Sequence, residues 1–180
     1  DFFVTIKSVS LLKYKSITNL SLPFEFESQK ILSKLNGFSK FINLSADFIL
    51  CSNRAKLCCV FPRVGLVPDV GAFFTLPRMV GLQKAKEIMF TGRPLDAMEA
   101  MDLGIAMEVH QTDDLMNAAM ELAERLCKAS TPAIGATKRI LNQSFNLDAN
   151  ALIEMEAAAQ AVCLSSDYHS NAIQGFLNKT

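Results

Sequence analysis

The feature that most constrains this chain is a change in apolar period along it. In the first third most apolar residues alternate with polar ones or form short runs, and beyond Gly81 most recur every three or four positions. A period of two lines one face of a strand, and a period near 3.6 lines one face of a helix. Phe2, Val4 and Ile6 alternate, as do Leu20, Leu22, Phe24 and Phe26, with Pro23 confining the second run to a sheet edge. Ile31, Leu32 and Leu35 fit a short helical segment, Asn36-Gly37 marks a turn, and Phe41 to Ala46 fits another short helix. Asp47 to Cys51 and Leu57 to Val60 read as short strands around a turn at Asn53-Arg54. Leu82, Ala85, Ile88 and Met89 then share a helical face closed by Gly92. Asp96 and Glu99 have capping-box spacing, Gly104 ends the helix they begin, and Ile105, Met107 and Val109 alternate as a strand. Three longer helices follow, capped by Thr112, Thr131 with Pro132 at its first position, and Asp148. Their faces are Leu115, Ala118, Ala119, Leu122 and Leu126 on the first and Leu152, Met155, Ala159 and Val162 on the third. A last short helix carries Ala172, Ile173, Phe176 and Leu177. Strands first and helices after predict an α/β fold with a helical C-terminal part.

Between the two regimes lies Phe61 to Gly81, reading FPRVGLVPDVGAFFTLPRMVG. Pro68 holds Val67 and itself in extended or turn geometry, and Val70 to Leu76 fits a short helix punctuated by Pro77 and Gly81. Asp69 therefore sits on a tight bend between apolar segments. A carboxylate there is either the N-cap of the following helix or an acid/base group. The two environments oppose each other. A helix N-terminus stabilises the carboxylate, whereas burial by Phe61, Val67, Phe73 and Phe74 would favour its neutral form.

Composition excludes several classes. The 180 residues suffice for one domain with a core, and no apolar run approaches the ~20 residues of a membrane span. Formal charge is zero, which leaves no nucleic-acid or anionic-membrane footprint on the chain as a whole. The five cysteines, Cys51, Cys58, Cys59, Cys127 and Cys163, lack metal-type spacing, and His110 and His169 are the only histidines. They read as buried thiols of a reducing, intracellular compartment, with no metal site expected. Lys7, Lys13 and Lys15 read as a solvated face.

The Phe61–Gly81 stretch, followed by TGRPLDAMEAMDLGIAMEV from Thr91, TPAIGATKRIL from Thr131 and DYHSNAIQGFLNK from Asp167, resembles the enoyl-CoA hydratase/isomerase or crotonase family. The resemblance runs from about Asp47 to Lys179, and residues 1–40 carry none. It implies a spiral core of strand–strand–helix turns, incomplete on its N-terminal side and occupying residues 41–110. Residues 111–180 would be helices that build a homotrimer or a dimer of trimers. It also implies an acyl-CoA thioester as substrate, enolate chemistry, and no cofactor beyond the coenzyme A of the substrate. Hydratases of the family use two glutamates. Their positions fall near Phe41 and at Phe61 here, and neither is acidic. Asp69 stands where some isomerases of the family keep their proton-transfer carboxylate. The resemblance thus implies Asp69 as single acid/base of a double-bond isomerase, with Phe61, Val64, Gly71, Phe73 and Phe74 lining the acyl site. Phe176 and Lys179, spaced to share a helical face, would meet the coenzyme A of a neighbouring subunit's ligand. The family's triple-glycine oxyanion segment has no counterpart. Only Gly37 stands near its place, and the oxyanion donors are unassigned. The alternatives are a crotonase-like protein that binds acyl-CoA or assembles with partners without turnover, and an enoyl-CoA hydratase, which the absence of both family glutamates disfavours.

Overall fold

The computed structural model describes residues 3–6, 44, 46–69 and 71–178. Several expectations lie outside them: the Leu20–Phe26 strand, the segment around Ile31 to Leu35, the Asn36-Gly37 turn, Phe41 and Lys179. The described chain forms two compact units, one reaching to Ala123 and the other starting at Glu124.

The first unit is built on β2 (Phe48–Ser52), which pairs antiparallel with β1 (Phe3–Ile6) and parallel with β5 (Glu108–His110). Leu50 and Cys51 point to opposite faces of β2, and both are fully buried. A strand covered on both sides needs the continuous apolar run FILC rather than alternation. A parallel neighbour requires a long crossover. The crossover here holds β3 (Lys56–Cys58), a 3-10 helix (Phe61–Val64), α1 (Ala72–Val80), α2 (Leu82–Thr91), β4 (Pro94–Asp96) and α3 (Ala97–Asp102). β3 and β4 pair antiparallel in a second sheet. Ile49, Cys51, Leu57, Cys59, Leu76, Ala85, Ile88, Leu95 and Ile105 close one core between these elements.

Local signals explain most boundaries. Gly92 ends α2 in the left-handed region at φ 57°. Asp96 caps α3 by accepting the Glu99 N–H at 2.9 Å. Only half of the capping box forms, because the Glu99 carboxylate turns to Arg93. Arg93 grips two carboxylates at once. Its Nη1 and Nη2 donate to Glu99 at 2.8 and 2.6 Å, while Nη2 also reaches Glu87 at 3.0 Å and Nε donates to Glu87. Hydrogen bonding to Arg93 holds both carboxyls below their ordinary value of 4.5. Groups depressed in this way stabilise the fold above pH 4.5 and lose that contribution as pH falls through their folded values. The three side chains remain about one-third exposed, so the effect is modest and salt-sensitive. Arg93→Met should lower Tm slightly near neutrality. The gap to wild type should close below pH 4.5 and in high salt. A gap independent of both in a thermal-melt series would contradict this.

Five local expectations are corrected. Asp69 is not the N-cap of α1. Gly71 is, at φ 76°, and no side chain caps that end. α1 starts later than expected and runs through Pro77 to Val80, since the missing Pro77 N–H costs one internal bond while Leu76 stays locked in the core. Leu82 is exposed at the start of α2. Thr112 does not cap α4 (Leu115–Lys128); its Oγ1 is buried with no partner among the described residues, and the Gln111 carbonyl takes the Asp114 and Leu115 N–H groups. Ser130, not Thr131, caps α5 (Thr131–Leu141).

The second unit holds α5, α6 (Ala149–Leu164) and α7 (Asp167–Leu177), with α5 packed on α6 and α6 on α7. Asp148 caps α6 through the N–H groups of Asn150 and Ala151, and Ser166 caps α7 through that of His169. The Tyr168 hydroxyl donates to the Lys128 carbonyl at 3.0 Å. No residue of α6 or α7 is buried, and Ile153, Val162, Ile173, Phe176 and Leu177 are exposed. The expected face of α7 is exposed, whereas on that of α6 Leu152, Met155 and Ala159 are half-buried and Val162 is exposed. No helix among the described residues is long and apolar enough to cross a membrane.

Candidate active site

The bend that carries Asp69 is made by the 3-10 helix and the loop after it. Gly65 closes that helix at φ 71°, and the Leu66 N–H donates to the Phe61 carbonyl at 3.0 Å. Pro68 is buried and turns the chain outward, so that Asp69 is exposed. The Asp69 carbonyl accepts the Ala72 N–H at 3.0 Å, and its carboxylate makes no hydrogen bond or ion pair among the described residues. Gly71 then starts α1, its carbonyl accepting the Phe74 and Thr75 N–H groups and the Thr75 hydroxyl.

The structure brings Val64, Asp69, Gly71, Phe73 and Phe74 onto one short, exposed stretch of the first unit. Val67 is 74 % exposed, Phe73 58 % and Phe74 50 %. The expectation that these side chains bury Asp69 is therefore corrected, because within the described chain they line an open apolar surface. Phe61 is separated from this group. Its side chain is buried in the core and packs inward. Phe176 stands exposed on α7 in the second unit.

Two features of the first unit were not read from the sequence. One is the Arg93 cluster, whose members are scattered between α2 and α3. The other is a stack of the Arg78 guanidinium on the Phe74 ring, 3.6 Å from its centroid. The signal for the stack was present as helical i, i+4 spacing. Burial pushes the Cys59 thiol up to about 11 and also raises that of Cys51, so both are poor nucleophiles near neutrality. Among the described residues no cluster of His, Cys, Asp and Glu could hold a metal ion.

The sequence model of the enoyl-CoA hydratase/isomerase family matches residues 31–180. The chain belongs to that family. It is similar to the short-chain-enoyl-CoA hydratase of Clostridium acetobutylicum, with 26 % identity over 159 residues, 86 % of this chain and 61 % of that protein. Among solved structures it is similar to the enoyl-CoA hydratase/isomerase from Cupriavidus metallidurans CH34, at a TM-score of 0.75 and 45 % identity, covering 78 % of this chain and 53 % of that one. It is also similar to the Thermobifida fusca YX protein solved in complex with acetoacetyl-CoA, at a TM-score of 0.69 and 33 % identity, covering 72 % and 51 %. The fold is the crotonase fold. The chain spans little more than half the length of these relatives.

Proposed function

We propose that this chain processes acyl-CoA thioesters, and that Asp69 is the single acid/base for moving a double bond along an enoyl-CoA. The observation that carries the reading is the pairing of an exposed Asp69 on the apolar bend with a buried Phe61 at the second hydratase position. Adding water to an alkene needs an acid and a base around one water molecule. Moving a double bond needs one group. Asp69 takes a proton from the carbon next to the thioester carbonyl, and the electron pair passes to the carbonyl oxygen. The same carboxyl returns the proton to the carbon two positions further on, so no atom is gained or lost. Val64, Gly71, Phe73 and Phe74 line the acyl side, and Phe176 and Lys179 are assigned, by resemblance to the family, to the coenzyme A of a neighbouring subunit's ligand. The relative solved with acetoacetyl-CoA supports the substrate class. The relative from Clostridium bears the name of a hydratase, which makes hydration the competing reaction. Both are assayed together, as migration on a 3-enoyl-CoA and hydration of a 2-enoyl-CoA. Hydration that outpaces migration would sink the isomerase reading.

The openness of the bend favours a second reading, in which acyl-CoA binds without turnover. Water reaching Asp69 would screen a developing enolate. Calorimetry with a non-hydrolysable acyl-CoA separates the two, since binding without migration supports the second.

The uncovered apolar residues of α6 and α7 support a homotrimer built through the C-terminal helices. Sedimentation should return a trimer, and Ile153→Asp with Ile173→Asp should dissociate it. A wild-type monomer at micromolar concentration would refute the assembly.

A further inference from the structure

We propose that Arg78 is a positioning residue that clamps Phe74 as a fixed wall beside Asp69 and thereby sets which acyl chains the site accepts. The inference rests on the Asp69 site proposed above. α1 begins at Ala72, so Phe74 lies in its first turn, directly after the bend of Asp69 and Gly71. Arg78 stands one turn later on the same face. Its guanidinium carbon lies 3.6 Å from the Phe74 ring centroid, and its Nη1 donates to the carbonyl of Phe74 itself at 2.9 Å. One side chain thus holds both the ring and the backbone of a single residue. The hydrogen bond fixes the guanidinium against the helix, and the ring rests on the fixed plane. Arginine suits this task because its planar, weakly hydrated cation stacks on an aromatic face while still donating sideways.

The surroundings make the clamp consequential. Phe74 is half exposed, so core packing does not hold its ring. Pro77, immediately before Arg78, removes the N–H that would bond the Phe73 carbonyl, and the Arg78 side chain adds a tie on the adjacent carbonyl. An unclamped ring would sample other rotamers and yield to a wider chain. A clamped ring admits a narrow, straight acyl chain and resists one that carries a ring or branch beyond the double bond.

The test uses Arg78→Gln and Arg78→Lys in the whole chain, with straight and ring-bearing 3-enoyl-CoA substrates. Arg78→Gln should reduce the ratio of kcat/KM between the two by about two- to fivefold, the span of an exposed cation–π contact. The change should fall on KM rather than kcat, and Arg78→Lys should restore part of the ratio. An equal fall for both substrates, with the ratio unchanged, would mean that Arg78 only supports the helix and would overturn the proposal. Ring flipping of Phe74, followed by NMR on labelled phenylalanine without ligand, should be faster in Arg78→Gln. Unchanged flipping overturns the clamp whatever the reaction. Faster flipping in a protein that turns over neither substrate would keep the clamp and reject the isomerase.

Discussion

Asp69→Asn is expected to lower kcat for double-bond migration about 10²–10⁴-fold, while thioester affinity and Tm stay near wild type. Asparagine keeps the shape and polarity of the side chain and removes its ability to accept and return a proton. The structure makes this a clean substitution. Gly71 caps α1 and no side chain does, so the Asp69 carboxylate holds no cap that the change could break. Asp69 is exposed, and its structural role is a backbone carbonyl that accepts the Ala72 N–H, which Asn retains. Had Asp69 capped the helix, the same change would have risked a loss of helix stability and confused the two effects. Migration should be measured at saturating and limiting substrate, with binding of a non-hydrolysable acyl-CoA alongside. A loss in KM alone would recast Asp69 as a binding residue. Migration that persists at wild-type kcat would end its assignment as acid/base.

The fold was legible where one local rule acts without competition. Asp148 precedes a long helical pattern with no rival cap, and it caps α6 as expected. Gly92 follows a sound apolar face and closes α2. Legibility failed where two rules competed. Ser130 and Thr131 are adjacent cap formers, and the structure uses the earlier one, placing Pro132 at the second helical position. Asp69 is a better cap by residue type than Gly71. Glycine starts α1 because the chain leaves the Pro68 bend through a left-handed residue, which only glycine adopts freely. Pairing of β3 with β4 rather than β2 depends on contacts distant in sequence, which no local pattern encodes. For the candidate site, the run from Val64 to Phe74 was visible as a motif, yet its exposure was not. Apolar residue type reads as burial in a sequence, and here Val67, Phe73 and Phe74 lie on the surface of the chain.

Gly92→Ala is expected to be among the most destabilising single-methyl changes in the first unit, for two reasons that a second glycine can separate. Gly92 has φ 57°, where any residue with a Cβ is strained by about 1–2 kcal/mol. An added Cβ would also lie 2.8 Å from the Cys59 carbonyl oxygen, closer than real contacts allow. That oxygen is backbone, and Cys59 is fully buried one residue beyond β3, so it cannot swing aside as a side-chain tip would. Relief requires β3 and the chain after α2 to separate, at an overpacking cost of about 1–3 kcal/mol more. Separation would stretch the 3.0 Å contact from the Cys58 thiol to the Gly92 carbonyl and displace Arg93, the next residue, from its two glutamates. Gly104 is the control. Its φ of 71° is as demanding, but nothing lies within 4 Å of its added Cβ. Gly104→Ala should therefore show the strain alone, and Gly92→Ala the strain plus the contact. Against a total stability of about 5–15 kcal/mol, urea midpoints resolve the difference. Equal losses in the two variants would remove the close approach of Gly92 to Cys59. The larger loss carries a consequence for the site, because the 3-10 helix that leads into the Asp69 bend starts two residues after Cys59, and Arg63 on that helix also borders Gly92. A variant pushed apart there should lose migration activity before it unfolds, as the bend that aims Asp69 shifts with β3.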